Sequence, residues 1–142
     1  MLTTGLPVYF ENAAGQVLEH PDGYVLVRHA AGKRKADELS ALVACTGRLL
    51  MKRNWHRVLD DQRHMAPLTA DEKQWVLEKW YTGQTDRPVY IITAVVVPDD
   101  VVARLSSRQM WNEVPPGIFE YHTFSELGEA HDFLMDLAEE LW

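Results

Sequence analysis

The residues best suited to chemistry in this 142-residue chain gather in one stretch, Asp60-Asp61-Gln62-Arg63-His64. Two carboxylates and an imidazole side by side can support proton transfer or hold a hard cation. The stretch follows a short β-type run, His56 to Asp60. In open α/β sheets, ligands bind beyond the carboxyl ends of the strands. Asp99 and Asp100 follow a second such run and are candidates for the same mouth. No fixed catalytic spacing accompanies the cluster. A solvated loop, with Asp60 or Asp61 paired to Arg57 or Arg63, is the simpler account of it. Asp60, Asp61, Arg63, His64 and Asp99 are therefore assigned to a ligand or partner surface, and no residue is assigned as catalytic.

Trp75 and Trp80 join that surface for a geometric reason. Five positions on an α-helix turn the side chain by about 140°, so the two indoles cannot both face one core. One of them is expected at an edge, groove or interface, where Trp is favoured. The other reactive types carry less. None of the six histidines (His20, His29, His56, His64, His122, His131) falls in a zinc-binding spacing, so no metal is expected. His131 lies on an apolar helical stripe and reads as a core histidine. The single cysteine, Cys45, has no C-x-x-C partner, sits mid-helix and reads as a small hydrophobe. Lys33-Arg34-Lys35 reads as a solvated basic loop, with docking to an acidic partner or a phospholipid headgroup as the alternative. No glycine-rich phosphate loop and no G-x-S-x-G elbow occurs, so no common cofactor is expected.

The chain is 46% hydrophobic and 25% charged, which is ordinary for a globular domain of this length. One domain spanning residues 1–142 is expected. The formal net charge is -7, which disfavours a nucleic-acid partner. That charge is uneven: residues 1–71 carry 9 Lys/Arg against 8 Asp/Glu, and residues 72–142 carry 5 against 13. An acidic half could receive the basic patch of a second copy. With one cysteine, no apolar run long enough to span a bilayer and no leader pattern, the expected location is the cytoplasm, without integral membrane association.

The elements that must position these residues follow from periodicity and turn chemistry. Val8 to Phe10, Gln16 to His20 and Tyr24 to Arg28 read as strands joined by turns at Asn12–Gly15 and Pro21-Asp22-Gly23, an antiparallel meander. Leu39, Leu42, Val43, Leu49 and Leu50 predict a helix over residues 36–53 with Asn54 as its C-cap. After the strand 56–60, Thr69-Ala70-Asp71-Glu72 forms a capping box that opens a helix ending near Gly83. Val89 to Val97 is nearly all β-branched and predicts a central strand covered on both faces. Pro98-Asp99-Asp100 opens a third helix, Pro115-Pro116-Gly117 breaks the chain, Ile118 to Phe124 is a last strand, and Ser125 caps a last helix whose stripe runs from Leu127 to Leu141. The order βββαβαβαβα predicts an α/β fold with a mixed sheet.

This order, with the strand Arg57-Val58-Leu59-Asp60-Asp61-Gln62-Arg63, the segment Val97-Pro98-Asp99-Asp100-Val101 and the close Phe124-Ser125-Glu126-Leu127-Gly128-Glu129-Ala130-His131-Asp132-Phe133-Leu134, resembles bacterial single-domain proteins of the STAS/SEC14-like superfamily, often called SpoIIAA-like. The resemblance covers nearly the whole chain. It implies a small mixed-sheet domain that is usually not an enzyme. STAS domains act in protein–protein regulation and can bind nucleotides, and SEC14-like domains bind lipids. Anti-sigma-factor antagonists carry a phosphorylated Ser after an Asp at a helix start. This chain has no Asp-Ser pair there; Thr69, the only hydroxyl at the corresponding position, is the candidate phospho-acceptor, with a plain helix cap as the simpler reading.

Three functions follow as expectations. The first is a non-enzymatic module that binds a protein or a second copy of itself. The second is a binder of an apolar small molecule or lipid between helices and sheet. The third is a small hydrolase or isomerase using Asp60, Asp61 and His64, which requires those side chains to converge.

Overall fold

Six strands form one mixed sheet in sequence order: β1 (Val8–Asn12), β2 (Gly15–His20), β3 (Tyr24–His29), β4 (Arg57–Asp61), β5 (Ile91–Val96) and β6 (Phe119–Phe124). The computed structural model describes residues 4–114 and 117–141, with residues 139–141 as helix backbone only. The break at Pro115-Pro116 and the side chain of Leu141 lie outside the described residues. Strands β1, β2 and β3 run antiparallel, and β3 to β6 are parallel neighbours. The short turns permit only the antiparallel pairings, whereas the later strands each need a helix to return the chain.

Those helices are α1 (Ala36–Arg53), α2 (Ala70–Trp75) and α3 (Val101–Trp111), and a fourth, α4 (Leu127–Leu141), follows the last strand. Each crossover joins adjacent strands in the same direction, so crossovers of one hand lay α1, α2 and α3 on one face of the sheet. Their apolar residues pack there with Val25, Val27, Val58, Ile91 and Phe119. On the other face, Ala130 and Leu134 of α4 pack with Leu18, Tyr24, Leu26, Leu59, Ala94 and Val96. Two layers of helix around one sheet account for β5, in which all six residues are buried.

Several expectations shift in detail. β5 starts at Ile91 rather than Val89, because Val89 and Tyr90 are exposed on the approach to the sheet. α4 begins at Leu127, two residues beyond Ser125, with the Glu126 carbonyl accepting the Ala130 N–H at 3.3 Å. The single helix expected from Thr69 to Gly83 is a short α-helix that passes into a π turn, Val76–Trp80. There the Tyr81 and Gln84 N–H groups bond five residues back, to Val76 and Lys79, both at 3.0 Å. Asn54 does end α1, in the left-handed conformation at φ 56°.

Arg34 is not part of a solvated loop. Its guanidinium grips the Glu72 carboxylate with two bonds of 2.7 Å and also donates to the carbonyls of Ala66 and Pro67. Glu72 is simultaneously the far half of the capping box, accepting the Thr69 N–H at 2.9 Å while its own N–H reaches the Thr69 hydroxyl at 3.1 Å. One buried carboxylate thus fixes the start of α2 and the loop before α1. Gly47 sets another close approach, of α1 to the connector before β5. A Cβ there would stand 2.2 Å from the Asp86 carbonyl oxygen and 2.9 Å from Trp80.

Two outcomes follow. Gly47→Ala must push the connector or Trp80 aside, and is expected to lower stability by about 1–3 kcal/mol in urea denaturation. Burial alone would raise the Glu72 carboxyl, but the Arg34 guanidinium and the Thr69 amide outweigh it and hold the group below its ordinary value. Its stabilisation is therefore complete above the unfolded value of about 4.3 and is lost as pH falls through the folded one. Glu72→Gln should flatten the loss of stability on acidification below about pH 5; a decline as steep as that of the unaltered chain refutes the assignment.

Candidate functional site

The helical face of the sheet holds a cavity of about 80 Å³, walled mainly by apolar and aromatic side chains of α1, the loop before α2, the π turn, α3 and the sheet. Its polar end comes from two neighbouring parallel strands. Val27 of β3 pairs with Asp60 of β4, and alternation puts Asp60 on the same face as Val58, and His29 on the same face as Val27. His29 Nε2 lies 2.6 Å from Asp60 Oδ1, and Gln62 Nε2 donates to Asp60 Oδ2 at 2.9 Å.

A carboxylate only accepts, so the pairing fixes the other groups. Gln62 turns its amide NH2 toward Asp60, and His29 presents an Nε2–H to it. What is left over is the imidazole Nδ1 and an amide Oε1 that can only accept. Both atoms are buried and neither has a hydrogen-bond partner among the described residues, although both residues line the cavity. Each such orphan costs about 1–3 kcal/mol, so a pair of them beside a cavity calls for a polar occupant with a donor for Oε1.

The opposite wall is aromatic. Tyr81 and Tyr121 share a hydroxyl–hydroxyl bond of 3.0 Å, and Phe119 lies edge-on to Tyr81 with ring centroids 5.0 Å apart. Burial raises the Tyr81 phenol well above its ordinary value and the Asp60 charge adds to this, so the hydroxyl stays protonated. Tyr121 is raised likewise by burial, with Tyr81 and Asp60 contributing. Behind Phe119 stands Arg87, 4.6 Å from the ring centroid, donating to the carbonyls of Trp80, Tyr81 and Pro88.

Of the residues singled out from sequence, Asp60 alone enters the polar end of this cavity. Asp61 faces α4 and is held by Arg63 through two bonds of 2.9 and 2.8 Å. Burial opposes ionisation of Asp61, but Arg63 prevails and keeps its carboxyl below the ordinary value. His64 is exposed beside a shallow surface depression that it shares with His29. Asp99 is exposed, and its backbone is tied through its N–H to the Arg63 carbonyl at 3.0 Å and through its carbonyl to Arg104 at 3.5 Å. The convergence of Asp60, Asp61 and His64 required for hydrolysis or isomerisation is absent, because adjacent strand residues point to opposite faces. Thr69 serves the capping box, and a phosphate there would confront the Glu72 carboxylate.

Trp80 is buried in the cavity wall and Trp75 is half-buried against the same core. The expectation that only one could face it assumed α-helical geometry. The π turn closes its ring over one extra residue, and that rotates Trp80 and Tyr81 toward the sheet. His29, Gln62, Tyr81 and Tyr121 were missed. The signal for His29 is present, since Val25, Val27 and His29 alternate onto one face of β3.

Comparison of the chain with protein-family models, curated proteins and solved structures finds no match. What the fold defines is an α/β domain with a six-stranded mixed sheet and four α-helices among the described residues. No helix among them is long and apolar enough to cross a membrane.

Asp60→Ala strands the His29 and Gln62 donors in an apolar setting, and is expected to cost about 2–4 kcal/mol in chemical denaturation. Asp99→Ala, at an exposed side chain, should leave the unfolding midpoint in place. Equal effects of the two would remove Asp60 from the site.

Proposed function

We propose that the protein is a non-enzymatic module that binds a small, largely apolar molecule between its sheet and its helices. The observation carrying this reading is the pair of unpartnered buried polar atoms, His29 Nδ1 and the acceptor Gln62 Oε1, on residues lining an apolar cavity. A ligand with a hydroxyl, amine or amide N–H at one end and an aromatic or aliphatic body would satisfy both halves of the wall. The volume of about 80 Å³, below the ~150 Å³ that holds benzene, excludes a lipid chain and admits a single small ring only as the walls open slightly around it. The resemblance to STAS/SEC14-like domains, which the element order supports, fits a binding role without catalysis.

Matched probes test it. Phenol and aniline are expected to bind at least about tenfold more tightly than toluene in ligand-observed NMR, since each recovers an otherwise unmade hydrogen bond. Gln62→Leu should narrow that preference while leaving toluene binding intact. No binding of any of the three, or equal binding of all, defeats the reading.

A second reading, association with a second copy, has one specific observation in its favour. Helix α3 turns Val101, Val102 and Leu105 to the surface, each more than half exposed. Sedimentation of the purified chain at increasing concentration decides it: a dimer dispersed by Leu105→Glu supports the reading, and a strict monomer ends it.

A further inference from the structure

On the opposite face of the sheet, far from the cavity in the chain's layering, the β2–β3 hairpin meets α4. Asp22 Oδ2 lies 3.6 Å from His20 Nδ1 and 3.8 Å from His131 Nε2. One ligand atom from each of the three residues falls within 4.8 Å of the others. The two imidazole centroids are 5.4 Å apart with their planes inclined at 51°.

These separations are too long for direct hydrogen bonds and close to what a shared ion requires. Ligand atoms at about 2.0–2.2 Å from a tetrahedral zinc stand about 3.3–3.5 Å from one another, and two such imidazole rings have centroids about 5 Å apart. The two Asp22 contacts lie within about half an ångström of that spacing, and the two imidazole nitrogens, no more than 4.8 Å apart, close on a shared ion by a shift of their rings. The geometry points to a binding site for a divalent transition-metal ion, of the zinc or cobalt type, formed by His20, Asp22 and His131.

The surroundings suit that role. His131 Nδ1 is 2.7 Å from the Tyr24 hydroxyl, so with the Nδ1 proton donated to Tyr24 the Nε2 lone pair faces Asp22, the tautomer a metal needs. His20 is buried and its ring is stacked on Tyr24 at 4.3 Å, which fixes its orientation. His20 Nδ1 at present accepts the Asp22 N–H at 3.1 Å, and the ion takes over that lone pair. The released N–H belongs to an exposed residue and passes to water at little cost. Three protein ligands leave a fourth position for water or an anion. No sequence spacing announces the set, because His20 ends β2, Asp22 lies in the turn after it and His131 is on the last helix.

The test is titration of the tag-free chain with Zn2+ by calorimetry and with Co2+ by visible absorption. Saturation at a single site per chain, with tetrahedral cobalt bands, is the expected result. Asp22→Asn, at an exposed side chain, and His131→Gln should each weaken binding at least about tenfold. Tyr24→Phe should weaken it by about tenfold while circular dichroism confirms the fold. His64→Gln and His122→Gln should leave it unchanged. Zn2+ should also raise Tm in the unaltered chain and not in Asp22→Asn. Absence of saturable binding, or equal weakening by His64→Gln and His131→Gln, overturns the assignment.

Discussion

The two-residue alternation of β4 is the constraint on which the rest of the molecule turns. In Arg57-Val58-Leu59-Asp60-Asp61, a strand buried between β3 and β5, each polar residue is committed to one face by its neighbours. Val58 and Asp60 go to the side of α1, α2 and α3. Arg57, Leu59 and Asp61 go to the side of α4. Shifting the register by one residue would bury Arg57 beneath α1 and carry Asp60 beneath α4. Charges are tolerated inside only with partners, and each of these has its own. Arg57 donates to the Leu134, Asp22 and Gly23 carbonyls at 2.7, 2.8 and 3.1 Å, Asp61 is clasped by Arg63, and Asp60 lies between His29 and Gln62.

That division explains why two polar centres can coexist in one small domain without merging. The acceptor-rich cavity belongs to the face that also holds the π turn. The His20, Asp22 and His131 group belongs to the other, where Arg57 ties the hairpin turn at Asp22 and Gly23 to the middle of α4. Arg57 thus holds together the two segments from which the three residues come. Its own charge is disfavoured by burial, which Asp22 partly offsets. β3 is the strand the two centres share, with Tyr24 at one end and His29 at the other, and its Val25-Leu26-Val27 is buried between them.

Much of this was legible in the residues. The meander, the capping box at Thr69, the Asn54 cap and the order of later elements all follow from short-range rules, since turns and caps are local chemistry. What failed did so where the decisive partner was distant. Arg34 looked like a surface cation because its mate, Glu72, is 38 positions away. Asp60 and Asp61 looked like one cluster because adjacency in sequence was taken for adjacency in space, which a strand denies. Trp75 and Trp80 were set apart by an angle that holds only for an α-helix. His29 carried the right alternation, but nothing local reveals that Asp60 will be its neighbour.

The π turn at Val76–Trp80 makes the aromatic wall a matter of phase. A helix that closes over five residues accommodates one more side chain per turn than its surroundings, so everything after it is rotated relative to everything before. Closing the same residues as ordinary α-helix, with none removed, would swing Trp80 and Tyr81 by about 100° away from the sheet. The cavity's composition is therefore set by how the helix closes at one spot as firmly as by the identity of its lining, and a chain one residue shorter there reaches the same wall with an ordinary helix.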